Sequence, residues 1–309
     1  MFIRTLHSKV FLLFLCSSAL FASEPQFFAE GDLLYWKAQE GGLAYAMEVK
    51  GQKERLKTPS FEWDFGFKLA VGALLPTKNW AFLLRLTHFN THADAFPKGA
   101  LFPLWVTPIE PKSLAAEMIK MHWRLHLALI DALAEKSYPL TANLSLSPQM
   151  GLRYALVRQK FNLDYFGRDF SPAFEEFLTM KNKFWGLGPL VGLRIEVPFA
   201  TSWCLGASGA FSALYGQFYI HEGEYRFLGR VKRASLHDTY TRVAFTGESG
   251  LFLRWQRKWE RWSLALHLGY DFLWLWRQNR FVPLDDKADL NSSGSLRLQG
   301  LEAGALFTF

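Results

Sequence analysis

Cysteine is almost missing from this chain of 309 residues, which has only Cys16 and Cys204. Cys16 lies in an apolar stretch near the amino terminus. With that stretch removed Cys204 stands alone, so no disulfide framework can hold the fold. Lipidation is disfavoured because Leu15 precedes Cys16 where a small residue is required. Long hydrophobic runs are missing too. Beyond residue 20 there is no uninterrupted stretch of about 20 apolar residues, which excludes a helical membrane protein. Charge of one sign is also scarce: 35 Lys and Arg against 28 Asp and Glu leave a formal +7, too slight a surplus for a nucleic-acid partner.

Aromatic residues, by contrast, make up 17% of the chain, with 29 Phe and 12 Trp. They fall in alternating runs. Over 61–73, Phe61, Trp63, Phe65, Phe67, Leu69, Val71 and Ala73 alternate with Glu62, Asp64, Gly66, Lys68, Ala70 and Gly72. Period two marks a strand with two unlike faces. The run is far longer than the roughly 5–6 residues of an ordinary strand, as a bilayer crossing requires. The amino terminus agrees with export. Arg4 and Lys9, the apolar stretch 10–20, and the small Ala22 and Ser23 have the order of a secretory signal peptide, expected over 1–22. One domain, 23–309, would remain.

Alternation recurs in ten segments: 29–37, 61–74, 80–90, 119–133, 144–161, 184–197, 203–219, 239–255, 261–277 and 295–309. Short connections (75–79, 134–143, 198–202, 256–260) alternate with long ones at about 38–60, 91–118, 162–183, 220–238 and 278–294. Short periplasmic turns alternating with long extracellular loops, on an even number of strands, are the pattern of a transmembrane antiparallel up-and-down β-barrel. Ten strands are expected. Twelve is the alternative if pieces such as 43–49 and 225–231 pair above the membrane. A secreted β-sandwich would not need the tryptophan pattern. Trp80, Trp203, Trp255 and Trp262 fall at short-turn ends, whereas Trp36, Trp63, Trp123, Trp185, Trp274 and Trp276 fall towards long-loop ends. Two aromatic girdles are the expectation.

The chain ends on Phe309, in phase with Leu301, Ala303, Ala305 and Phe307. This looks like the carboxy-terminal signal read by the barrel-assembly machinery, because an apolar last strand suits pairing with an insertase.

Several motifs carry a family resemblance: Asp32-Leu33-Leu34-Tyr35-Trp36-Lys37, Trp63-Asp64-Phe65-Gly66-Phe67-Lys68, Thr87-His88-Phe89-Asn90-Thr91-His92, Lys183-Phe184-Trp185-Gly186-Leu187-Gly188-Pro189 and Leu214-Tyr215-Gly216. Together they resemble the Legionella-type major outer membrane protein family, also found in Chlamydia-like bacteria. The resemblance implies a pore-forming barrel in a Gram-negative outer membrane. The chain departs from the cysteine-rich envelope proteins of Chlamydia in keeping one cysteine after residue 22, which argues against a cross-linked envelope.

If the apolar face of every strand meets lipid, the alternate residues line the lumen. Pore-lining candidates are then Glu62, Asp64, Lys68, Arg85, Lys120, His122, Arg124, His126, Arg153, Arg194, Arg254 and Asp271. A ten-stranded barrel is narrow, but inward glycines such as Gly66, Gly72, Gly206 and Gly250 would widen it. A porin-like channel for ion transport and small solutes is the first reading, with a closed structural or adhesin-type barrel as the alternative. An outer-membrane protease is a third. His92 with Asp94, His237 with Asp238, and Asp285 with Asp286 lie near the long loops, where they could activate a water. No motif spacing supports that chemistry. His122 and His126 stand about 13 Å apart along a strand, too far to share zinc, so no metal or cofactor is expected. Expected partners are outer-membrane lipid and lipopolysaccharide, the assembly machinery, small solutes or ions, and a second copy in an oligomer. The basic run 226–233 is a candidate for anionic ligands.

Overall fold

A computed structural model describes residues 25–50, 53–75, 79–105, 115–141, 143–169, 175–226, 231–281 and 294–309. The expected signal peptide, Asp285 and Asp286 lie outside the described residues. No helix occurs among those described. The strands are β1 (Gln26–Glu40), β2 (Ala46–Lys50), β3 (Lys53–Lys57), β4 (Trp63–Leu75), β5 (Trp80–Ala95), β6 (Lys98–Pro103), β7 (Ala116–Lys136), β8 (Tyr138–Thr141), β9 (Leu144–Phe166), β10 (Glu176–Ala200), β11 (Trp203–Arg226), β12 (Val231–Lys258), β13 (Ser263–Leu275) and β14 (Leu296–Thr308).

Ten of these are the staves of a closed antiparallel barrel, in the order β1, β4, β5, β7, β9, β10, β11, β12, β13, β14 and back to β1. Closure leaves no sheet edge, which a bilayer would not tolerate. The seam is β1 against β14, where the Phe27 and Phe309 amides exchange hydrogen bonds at 2.9 and 2.8 Å. The expected segment 43–49 does enter a strand, β2, but β2 pairs with β3 and β6 as a flap beyond the rim, so the barrel keeps ten staves. On the β7 to β12 side the staves run on into segments expected as loops, and β12 has 28 residues.

The outer face carries a belt of Phe65, Phe67, Leu69, Val71, Phe82, Leu84, Leu152, Leu187, Val191, Leu251 and Leu268, all exposed. On β5 this belt ends within eight residues of Trp80, where His88 replaces an apolar residue. Eight residues of tilted strand rise about 20 Å, close to the ~25 Å apolar band of an outer-membrane barrel.

Above that height the two faces exchange character. On β7 the odd residues point inward from Ile119 onward. They are polar at Asp131 and Glu135 near the short-turn end, then apolar from Leu129 to Ile119. The even residues point outward. They are apolar at Ala128, Ile130, Ala132 and Ala134, then polar at His126, Arg124, His122 and Lys120. This corrects the expected lumen set: Lys120, His122, Arg124 and His126 are on the outside. The physical reason is that the staves on this side are taller than the bilayer. Beyond it the outer wall meets water, and the inside must bury a core. The inward face there holds Trp36, Phe89, Trp123, Leu125, Leu127, Val157, Phe161, Phe184, Leu214, Phe218, Leu273 and Leu298, all buried.

Trp36 and Trp123 are therefore corrected as well. They are 2% and 0% exposed and belong to this core, not to a girdle. Trp36 packs on Phe89 with centroids 5.7 Å apart, and Trp123 meets Phe61 edge-on at 5.0 Å.

Candidate functional site

The lower lumen is a lattice of ion pairs that reach across the barrel. Lys68 on β4 bonds Asp271 on β13 at 2.5 Å and also Glu302 on β14. His267 on β13 lies 3.2 Å from Asp32 on β1 and 3.3 Å from Glu302. Arg85 and Arg153 flank Asp131 from the two neighbouring staves. Arg85 reaches it at 2.8 Å, and Arg153 at 2.7 Å through both Nε and Nη2. Arg153 then crosses the lumen to Glu248 on β12 at 2.5 Å, with Thr246 at 3.2 Å. Nearer the short turns Arg254 pairs with Glu196 at 2.5 Å, and Arg194 approaches Glu135 at 3.9 Å. Arg153 and Asp131 are each 1% exposed. Ions so buried persist only where every charge has partners.

The upper lumen is closed by the aromatic core, and connecting segments roof it. Trp105, between β6 and β7, packs edge-on against inward Phe161 at 6.0 Å and donates its Nε1 hydrogen to the Ala44 carbonyl at 2.6 Å. Phe281, beyond β13, stacks on Phe161 at 6.1 Å. Gln159 donates to Glu40 at 3.0 Å, tying β9 to β1 across the mouth. Of the apolar residues of the 91–118 loop, Leu101, Leu104 and Trp105 thus turn inward, whereas Phe96 is exposed against His122 on the outer wall.

Inward glycines do not widen the passage, because neighbours fill the space they leave. The Phe28 ring occupies the place of a side chain at Gly72, Phe252 that at Gly206, Asp271 that at Gly250 and Asp32 that at Gly304. One remaining lumen cavity, between Trp36, Lys68, Arg85, Glu248 and Asp271, measures about 60 Å³. That is room for a few water molecules.

Of the other expected pore-lining residues, Asp64 faces inward and accepts a hydrogen bond from Thr91 at 2.5 Å, while Glu62 is exposed at the rim before β4. Asp131 and Glu135 were not among the expected residues. An acid standing alone among Leu127, Leu129 and Leu133 on an otherwise apolar face was the available signal that the faces exchange character. Trp63, Trp80, Trp185, Trp203, Trp255, Trp262, Trp274 and Trp276 stand outside the lumen core, on the face that carries the apolar belt or at its ends. Phe309 is exposed on that outer face beside Phe27 and Phe307.

The histidine and aspartate pairs do not converge. Asp94 meets His122 at 2.9 Å on the outer wall of β5 and β7, whereas the ring of His237 on β12 lies tilted against that of His221 on β11, centroids 4.1 Å apart. In the strand order β5 and β12 are five staves apart, on opposite sides of the barrel. Glu30, Asp32 and His267 bring possible ligand atoms within 4.8 Å of one another, but the same His267 nitrogen already lies against both Asp32 and Glu302. Beyond the barrel wall, hydrogen bonds from Lys57 and Lys50 hold the Glu48 carboxyl of the flap below the usual carboxylate range.

Among curated proteins none matches the chain. Solved structures with a similar course include the outer membrane protease OmpT of Escherichia coli, 9% identical over 92% of this chain and 96% of that one, TM-score 0.48. A major outer membrane protein of Thermus thermophilus is 13% identical over 93% and 100%, TM-score 0.38. The Pseudomonas putida toluene transporter TodX is 9% identical over 92% and 89%, TM-score 0.29. Likeness at this level says nothing about activity. The family model of the Legionella pneumophila major outer membrane protein precursor matches residues 22–309, nearly the whole chain, and the protein belongs to that family of β-barrels of the bacterial outer membrane.

Proposed function

We propose that the protein is an outer-membrane barrel with a closed lumen and a structural role, presenting its long-loop end to the outside of the cell. The observation that carries this reading is the filled interior. Ion pairs in the lower half join staves two and three apart and bring Arg85 within 3.9 Å of Glu248 on the opposite stave, and a packed aromatic core roofed by Trp105 and Phe281 fills the upper half. Barrel size works in the same direction, since eight staves are already filled by side chains and roomy channels need about 16–18. The orientation is supported by the short turns and both chain ends sharing one rim, which in such barrels is periplasmic.

Passive passage of small solutes is the second reading, and one observation favours it: the roof over the core is made from connections, so Trp105 and Phe281 can move without breaking a stave. Planar-bilayer recording separates the two. The closed barrel should give no discrete conductance steps at high protein load, with heat-modifiable mobility showing that it is folded. It should stay silent when Trp105→Ala and Phe281→Ala are combined, because the ion pairs below remain. Steps from the wild type would overturn the closed reading; steps from the double variant alone would favour a gated passage.

A further inference from the structure

The outer wall of β7, β9 and β10 carries a compact cationic block that neither the lumen nor the apolar belt explains. The register places it. Lys183 lies opposite Arg158, and Arg158 opposite His126; in the next row Lys181 lies opposite Lys160, and Lys160 opposite Arg124. All five Lys and Arg side chains are exposed, and neither row, followed to Asn90 and His92 on β5, contains a carboxylate. Asp94 is one row further out and meets His122. The block lines an open groove of about 810 Å³ on the wall.

Two physical facts make this arrangement informative. Like charges directly opposite on neighbouring strands destabilise a sheet. Here Arg158 faces Lys183, and Lys160 faces both Arg124 and Lys181, so the bare wall carries a repulsion that an anion would remove. The second fact is height. The row just below is Trp185, Leu156, Ala128 and His88, and below that the belt is apolar. Ten residues of tilted strand from Trp80 to Asn90 rise about 25 Å, the thickness of the apolar band. The cations therefore stand at headgroup level on the long-loop side, above an interfacial Trp185.

We infer that this block is a binding site for the phosphates of a phosphorylated glycolipid headgroup in the outer leaflet, with Arg124, Arg158 and Lys160 at its centre and Lys181 and Lys183 along its edge. Guanidinium forks suit phosphate oxygens bidentately. The acyl chains of the same lipid would lie on Leu156, Leu187 and Tyr154 beneath. The assignment is independent of whether the lumen conducts.

The test uses the full refolded barrel in phosphatidylcholine bilayers doped with lipid A that carries both phosphates, with the enzymatically dephosphorylated lipid in parallel. Arg158→Gln combined with Lys160→Gln should weaken retention of the bisphosphorylated lipid on the order of 30-fold, from the worth of two cations at an anionic surface. Arg257→Gln with Lys258→Gln at the opposite rim should leave retention unchanged, and the dephosphorylated lipid should bind the wild type as weakly as it binds the site variant. Without anionic lipid the site variant should unfold no more readily than the wild type, since repulsion has been relieved. Should it fail to fold, Lys181→Gln with Lys183→Gln on the next stave gives the same readout. Undiminished retention by the variants, equal retention of the dephosphorylated lipid, displacement of the lipid by inorganic phosphate alone, or a variant less stable in the uncharged bilayer would each overturn the assignment.

Discussion

Replacing Arg153 with Met tests whether the lower lumen is held as one network. Met keeps much of the side-chain volume, so the change removes charge and hydrogen bonds with little cavity. Arg153→Met strips Asp131 of two bonds at 2.7 Å and Glu248 of one at 2.5 Å. Asp131, 1% exposed, keeps Arg85 at 2.8 Å; Glu248 keeps Arg85 only at 3.9 Å. Removing one partner of a buried pair costs about 3–5 kcal/mol, and the surviving Arg85 contacts put this variant near the lower end. Arg85→Met should cost less, about 1–2 kcal/mol, because Asp131 would keep both short bonds to Arg153. Removing both buried charges with Arg153→Met and Asp131→Leu should cost less than the sum of the single changes, since Asp131 is then no longer stranded and Arg85 is released towards Glu248. Reversible denaturant unfolding in lipid vesicles, followed by tryptophan fluorescence, measures the wild type, the three single variants Arg153→Met, Asp131→Leu and Arg85→Met, and the double variant. A loss below about 1 kcal/mol for Arg153→Met, or a larger loss for Arg85→Met, would refute the network.

The exchange of faces predicts where lipid reaches. In single-tryptophan variants, brominated acyl chains should quench Trp203 and Trp274 but not Trp36 or Trp123, and quenching of Trp123 would mean β7 has the opposite phase. Leu69→Arg, in the middle of the belt, should cost about 2–4 kcal/mol, whereas His122→Arg, above the belt and beside Asp94, should stay within about 0.5 kcal/mol; denaturant unfolding in vesicles compares them, and equal losses would place both residues in lipid. Glu48 sets a pH dependence for the flap. Its carboxyl is held low by Lys57 and Lys50, so the stability it contributes is present above its unfolded pKa of about 4.3 and is lost as pH falls below that. Protection factors of the β2 and β3 amides, taken against unstructured peptide at the same pH, should fall on acidification, and Glu48→Gln should give the low protection already at neutral pH; protection indifferent to both would remove the clamp.

Period-two alternation, the order of short and long connections, and an apolar last strand ending on Phe309 are local features, written into neighbouring residues. From them the ten-stave barrel, its membrane belt and the termini at the short-turn rim are legible without coordinates. The inward position of Lys68, Arg85 and Arg153 was legible for the same reason: these polar residues stand within the bilayer's height, where only the lumen accepts them. Height itself is not local. Whether Arg124 or Leu125 points inward on β7 depends on how far above the bilayer that segment stands, and this is settled by the pairing of Arg85 with Asp131 and Arg153 across three staves. The alternation there is as regular as elsewhere, yet its two faces mean the reverse, because the solvent outside has changed from lipid to water. Only the tertiary structure decided that, and with it decided that the apolar half of the barrel's interior is a packed core and that the cations of β7, β9 and β10 look outward.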